Sequence, residues 1–341
     1  MPDIDSHIQL GHGSGGEMMQ TLLEELFLPW FGQPFPGGMA DSAILPVTKL
    51  LPAFTTDSYV IDPIIFPGGN IGTLAVCGTV NDLAVTGAKP KYISAGFIIE
   101  EGFPTAVLRE IIKSMAEEAG KAGVKIITGD TKVVEKGKVD KIFINTTGIG
   151  YLEEKHFHIH RGSNAVAGDI IITNGYIGDH SIAVLSAREE FDFASPAISD
   201  CSSLAGMIGN VLAQTDGVRW MRDITRGGLA TVICDLVDSK DFGAKLMEED
   251  IPVRESVETA CDMLGYDPLY LANEGKVLMV VDRNEADKVL QIMKQDPTGK
   301  DAAVIGELTG SNHGEALLYT GIGGGSRLLH PLPGEQLPRI C

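Results

Sequence analysis

The 341-residue chain has little cysteine and no pattern that would pair it. Its five cysteines (Cys77, Cys201, Cys234, Cys261 and Cys341) are odd in number and scattered, with no CxxC. That excludes a disulfide framework and a cysteine-rich zinc knuckle, and makes reduced thiols in a cytoplasm the expectation. Basic residues are also scarce: 27 Lys and Arg stand against 46 Asp and Glu, a formal net charge of -19. Such a surface repels phosphate backbones and anionic lipid heads, so neither nucleic acid nor membrane is an expected partner. No apolar run reaches the ~18 residues a membrane helix needs. The opening MPDIDSHIQL lacks the basic and apolar regions of a signal peptide. No GxxxxGK[ST] occurs, which excludes a P-loop. What remains is globular composition, 44% hydrophobic and 21% charged, at a length that suits two domains.

Apolar patterning alternates strands with helices. Strands are expected at Ala53 to Thr56, Tyr92 to Ile99, Lys125 to Thr128 and Ile142 to Thr146, with helices over Gly72 to Val85 and Thr105 to Ala122. A second half expects strands near Ile170 to Thr173, Ala244 to Met247, Val277 to Val281 and Ala303 to Ile305. Its helices are expected over Ser199 to Ala213, Gly228 to Ser239, Glu255 to Met263 and Glu285 to Gln295. The expected division is a glycine-rich segment (1–38), an N-terminal domain (39–160), a C-terminal α/β domain (161–320) and a tail (321–341). The terminal HPLPGEQLPRIC holds three prolines and a glycine in twelve residues, which forbids helix and discourages strand. It is expected to be an extended, mobile arm.

Acidic residues recur at segment ends: Asp41 in GGMADSAIL, Asp57 in FTTDSYVID, Asp82 in TVNDLAV and Asp130 in ITGDTK. Four converging aspartates would suit Mg2+, which takes hard oxygen ligands and completes its shell with water and substrate phosphates. Each alone is equally explained as a turn or N-cap residue. Glycine-rich backbone is the second signal. GHGSGGE contains Gly11, Gly13, Gly15 and Gly16 ahead of EMMQTLLEEL, and PGGNIG and RDITRGGLA also set paired glycines before a helix. Exposed amides at such sites can wrap an anion, and Arg226 is available for a phosphate. As a dinucleotide fingerprint GHGSGG fails, because no βαβ unit follows it.

The third signal is Pro338-Arg339-Ile340-Cys341. A thiol at the end of a proline-stiffened arm can visit a cleft, and an exposed terminal cysteine favours a chemical role over an incidental one. His156, His158 and His160 alternate in KHFHIHRG and are expected on one strand face, either as a metal-binding set or as a half-exposed edge.

Together these segments resemble the HypE family, carbamoyl dehydratases of [NiFe]-hydrogenase maturation. The resemblance runs from GHGSGG through TTDSYVIDPIIFPGGNIG, CGTVNDLAV, GDTKVV, RDITRGGL and ANEGK to the final PRIC. Ile224 stands where the family pattern has proline in RDxTRGG, a change that leaves Gly227 and Gly228 in place. The resemblance implies an α/β (α+β) fold of two domains like aminoimidazole ribonucleotide synthetase, with N-terminal strands pairing across a homodimer. It implies ATP and Mg2+ in the cleft, with metal on Asp41, Asp57, Asp82 and Asp130. The nucleotide would meet Gly11, Gly13, Gly15, Gly16, Asp57, Asn70, Asp130, Thr131, Arg226, Gly227 and Gly228. Catalysis would fall to Cys341, Lys132 and Glu274.

The implied reaction is ATP-dependent dehydration of a carbamoyl group on Cys341 to a thiocyanate. A carbamoyltransferase would load the thiol, and the cyanide would pass to an iron-carrying maturation scaffold. Two other readings stand beside it: an ATP-dependent kinase or synthetase of the same superfamily acting on a free substrate, and a non-catalytic thiol carrier.

Overall fold

The computed structural model describes residues 6–13, 17–31, 45, 48–188, 197–321, 324–332, 334, 337 and 339–340. Asp41, Gly15, Gly16 and Cys341 lie outside the described residues. The chain opens with α1 (Glu17–Leu22), a π-helical turn (Leu23–Phe27) and α2 (Leu28–Phe31). Then follow β1 (Leu51–Tyr59), a small hairpin of β2 (Ile65–Phe66) and β3 (Gly69–Asn70), and α3 (Ile71–Val85). The N-terminal half closes with β4 (Lys89–Glu100), α4 (Thr105–Ala122), β5 (Lys125–Val134) and β6 (Ile142–Leu152). Its four-stranded sheet has the order β1-β6-β4-β5.

Helix α4 has the bounds the periodicity predicts. Leu108, Ile111, Ile112, Met115 and Ala119 form one buried stripe, and left-handed Gly123 caps its end. Helix α3 is different. Its small, apolar sequence is buried on nearly every side, because it lies between the N-terminal sheet and the C-terminal half. Asn70 starts it, with Oδ1 accepting from the amides of Gly72 (2.8 Å) and Thr73 (3.2 Å).

The C-terminal half contains β7 (Ile170–Thr173), α5 (Asp179–Ser186), α6 (Ala205–Gln214), β8 (Val218–Asp223) and α7 (Gly228–Val237). It continues with β9 (Gly243–Met247), α8 (Glu255–Leu264), β10 (Val277–Val281), α9 (Ala286–Lys294), β11 (Ala303–Thr309), β12 (Ala316–Tyr319) and β13 (Ser326–Leu328). Its sheet has the order β13-β12-β9-β11-β7-β10-β8, so the last strand pairs beyond residue 320. Strand β10, beside the edge strand β8, is buried along its whole length, which explains its unbroken apolar run VLMVV.

Three expectations change. Residues 199–204 are not helical, and α6 begins only at Ala205. The three histidines do not share a strand face: His156 and His160 fall on separate 3-10 turns with His158 between them. Both ring nitrogens of His158 sit 2.9 Å from backbone carbonyls, of Lys155 and Val218. The second turn ends at Gly162, whose φ of 59° is left-handed and stops the helix. Finally, the tail is not wholly an arm, for Ile340 is buried in the main core cluster at 5% exposure.

Candidate active site

Four elements bring carboxylates to one cleft. Asp57 projects from β1 towards α3, Asp82 stands near the end of α3, Asp223 closes β8, and Glu274 precedes β10. The Thr55 hydroxyl donates to Asp82 Oδ2 at 2.7 Å. The Tyr59 hydroxyl lies 3.4 Å from Asp57 Oδ2 and 3.3 Å from Thr79 Oγ1. Asn81 stitches the two halves together at this point. Its amide donates to the carbonyls of Ser202 (3.0 Å) and Glu274 (3.3 Å), and its Oδ1 accepts from Leu204 N (2.8 Å).

Crowding like charges in a partly dry cleft raises their pKa values. Asp82 is pushed up to about 7, first by burial and then by Asp223 and Asp57, against the opposing Thr55 hydrogen bond. Glu274 rises well above the usual range through burial, reinforced by Asp200, Asp223 and Asp57, with Arg226 opposing. Burial also raises Asp223. Glu274 Oε1 is buried and has no hydrogen-bond partner among the described residues. An orphaned carboxyl oxygen among repelling carboxylates fits a site made to receive a cation or a proton-bearing substrate. Among the described residues no three His, Cys, Asp or Glu side chains close on a single point as a metal cage.

Asp130 does not join this cluster. The register runs Asp57↔Thr146, Ala95↔Thr146 and Ala95↔Gly129, so Gly129 shares the face of Asp57. Asp130 pairs with Gly96, and Lys132 with Ile98, on the opposite, exposed face. Side chains alternate along a strand, and two strands separate β1 from β5, a span of ~14 Å. The expected convergence of Asp57, Asp82 and Asp130 therefore does not occur within one chain. Lys132 is exposed on this outer face and is not paired with buried Glu274.

Asn70 is likewise placed elsewhere. It is buried, its Oδ1 caps α3, and its Nδ2 donates to Ser114 Oγ at 2.8 Å, so its amide is consumed in holding helices together. Gly11 and Gly13 lie in a 3-10 turn over β5. A Cβ on Gly13 would come within 2.5 Å of Val133 N, so glycine is needed there for close backbone packing, whereas one on Gly11 would meet only the flexible end of Met18. Thr131 is buried on the inner face, beside a small cavity lined by Leu23, Phe27 and Phe97.

The RGG segment is built as expected. Gly227 and Gly228 have φ of 79° and 64°, and a Cβ on Gly228 would run into the Leu269 carbonyl. Arg226 is exposed at the mouth of a cavity of about 410 Å3 that Gly227, Ser181, Tyr270, Leu337 and Ile340 also line. The tail thus roofs the space in front of the paired glycines. In place of the expected proline, Ile224 is fully buried and its N–H donates to the Lys276 carbonyl at 2.9 Å.

Sequence reasoning missed Asp223, Tyr59, Asn81 and His180. Asp223 lay inside the quoted RDITRGG, but two arginines obscure the alternation of β8, so no strand end was assigned there. The other three are polar residues in apolar surroundings, and only tertiary contacts give them a role.

Residues 39–152 match the family AIR synthase related protein, N-terminal domain, and residues 166–318 match AIR synthase related protein, C-terminal domain. The carbamoyl dehydratase HypE of Escherichia coli K12 is 44% identical over 342 residues, covering 98% of this chain and 100% of that protein. That of Azotobacter vinelandii is 45% identical, covering 98% and 97%. A crystal structure of hydrogenase maturation protein HypE in complex with ATP superposes with a TM-score of 0.92 at 43% identity, covering 98% of this chain and 99% of that one. A HypE–HypF complex aligns with a TM-score of 0.78 at 48% identity, covering 91% and 99%. A thiamine monophosphate kinase from Aquifex aeolicus, 14% identical with a TM-score of 0.58, shares the fold alone. With full-length likeness at this level, the chain belongs to the HypE carbamoyl dehydratase family, built on the two AIR synthase related domains.

Proposed function

We propose that this chain spends ATP to dehydrate a carbamoyl group carried on its own Cys341, giving a thiocyanate. The observation that carries the proposal is the seating of the tail. Ile340, immediately before Cys341, is buried against the core with its carbonyl hydrogen-bonded, beside the cavity that Arg226 and Gly227 line. A full-length relative bound to ATP supports the nucleotide, and a complex of a relative with HypF supports a carbamoyltransferase partner.

The chemistry balances as follows. The carbamoyl oxygen attacks the γ-phosphorus of ATP and the bond to ADP breaks. The nitrogen loses both of its protons, one after O-phosphorylation and the second as the C–O bond breaks, and phosphate departs to leave a C≡N group on sulfur. The net change on Cys341 is loss of one water. Asp57, Asp82 and Asp223, with Asp41 from the resemblance, would hold Mg2+, which neutralises charge on the transferring phosphoryl group. Arg226 and the Gly227–Gly228 backbone would bind phosphate oxygens. Burial, reinforced by its acidic neighbours, raises the Glu274 pKa well above the usual carboxylate range. A carboxyl raised in this way is suited to take a proton from the nitrogen as phosphate departs.

A second copy is part of the proposal. Asp130 and Lys132 share the outer sheet face with Phe54 (70% exposed) and Ile98 (45% exposed), an apolar surface suited to pairing with its own copy. Lys132 would then act from that interface. The thiocyanate's acceptor would be an iron-carrying scaffold in the cytoplasm. No helix among the described residues is long and apolar enough to cross a membrane.

The test is mass spectrometry of the terminal peptide after loading Cys341 with a carbamoyl group. Loss of one water only with Mg-ATP is expected. A persistent carbamoyl peptide in protein that binds ATP would favour a free-substrate enzyme or a thiol carrier.

A further inference from the structure

The tail is held by a built seat rather than by chance contact. Ile340 has its side chain in the main core, and its carbonyl lies 3.0 Å from His180 Nε2. The preceding carbonyl, of Arg339, is met by Asp62 N (3.2 Å) and by an Arg188 guanidinium nitrogen (3.1 Å). Arg188 is itself braced, its Nε donating to the Asp62 carbonyl at 3.0 Å. The Arg339 side chain reaches Asp140 Oδ2 at 2.6 Å.

His180 is fully buried, with Phe66 packed edge-on against its ring. Because a carbonyl can only accept, Nε2 must carry the proton. Nδ1, 2.8 Å from Ser199 Oγ, is then free to accept from that hydroxyl. Ser199 Oγ also accepts from Cys201 N at 3.1 Å, which ties the ring's second contact to the backbone. With the tail seated, His180 therefore carries its proton on Nε2.

We propose that His180 and Arg188 are positioning residues that fix the register of the C-terminal tail through its two penultimate carbonyls. The Ile340 pocket and Asp140 supply the side-chain selection. The donors read backbone, so they specify where the chain lies. The buried isoleucine specifies which residue lies there, since a slip of one position would put Arg339 into an apolar pocket. The seat thereby fixes the backbone as far as Ile340. This rests on Cys341 as the carrier, but the seating itself can be measured without turnover.

The experiment is the rate at which iodoacetamide alkylates Cys341 in the full-length protein, followed on the terminal peptide, with ATP affinity measured in parallel. The amide of glutamine reaches the position of Nε2, whereas that of asparagine reaches only the position of Nδ1. His180→Asn and Arg188→Ala should therefore each raise the alkylation rate about fivefold, the worth of one hydrogen bond, with ATP affinity unchanged. His180→Gln should stay near the parent rate. Equal rates for His180→Asn and His180→Gln, together with an unchanged rate for Arg188→Ala, would overturn the assignment. That result would leave the dehydratase proposal standing, since no step of it is measured here.

Discussion

The Thr55 hydroxyl on β1 donates to Asp82 Oδ2 on α3 across 2.7 Å, and it opposes the forces that lift the Asp82 pKa. Thr55→Val removes that donor while keeping the side chain's shape. Asp82 should then titrate higher, and the acid limb of Mg-ATP turnover should move up by about half a pH unit or more. A pH profile of ADP release checks this, and an acid limb in its original place would count against Asp82 as the group titrating there.

Stability of the ligand-free protein should fall as pH rises towards the alkaline side of neutrality. Asp82 titrates from the ordinary 3.8 in the unfolded chain to about 7 when folded. Between those values the folded state binds more protons than the unfolded state. The stabilisation is therefore complete below the unfolded value and lost as pH climbs through 7. Raised Glu274 and Asp223 act with the same sign. Calorimetry at about pH 5.5 and about pH 8 should show the lower melting temperature at the higher pH. Asp82→Asn should reduce the difference, stabilise the protein by about 1 kcal/mol at the higher pH and abolish turnover.

Gly78 faces the Tyr59 hydroxyl so closely that a Cβ there would meet it. Gly78→Ala should cost about 1–3 kcal/mol by displacing Tyr59, and should weaken ATP use through Asp57. Adding Tyr59→Phe removes the obstructing oxygen. The double variant should recover stability beyond the sum of the single changes, a coupling that denaturant unfolding can measure. Simple additivity would show that the contact carries no energy.

Ile224→Pro, which restores the residue of the family pattern, should destabilise this chain. Proline removes the N–H that donates to Lys276 O, at a cost of about 1–2 kcal/mol, and leaves that buried carbonyl short of a partner. Unfolding in urea checks it, and an unchanged midpoint would mean that the loop rearranges around proline.

How much of this was legible in the sequence follows from what kind of signal each feature leaves. Helix α4 could be read to the residue because one face is wet and the other dry. Helix α3 was placed within a residue, although it is buried all round, because GGN marks its start. Asp57 and Asp82 were named from motif context, and their meeting is what two adjacent layers allow. Asp130 was misplaced because spacing along a chain says nothing about which face of a sheet a residue takes, and one position of alternation turned it outward. Asn70 carried the right motif but is fully used as a helix cap. His180 and Arg188 had no local signature: their partners lie some 150 residues away in sequence, at Ile340 (separation 160) and Arg339 (separation 151). The tail's prolines and glycine correctly excluded regular structure, yet irregular chain can still dock, as Ile340 does.

The amide of Asn81 has one further consequence. It grips the Glu274 carbonyl and the backbone at residues 202 and 204 from the position next to Asp82. The aspartate and the glutamate consequently share one frame of reference, and thermal jitter of either half carries both together. The two carboxylates thus behave as an anvil of fixed geometry, and in the proposed reaction the freedom that loading and discharge would require is left to the tail.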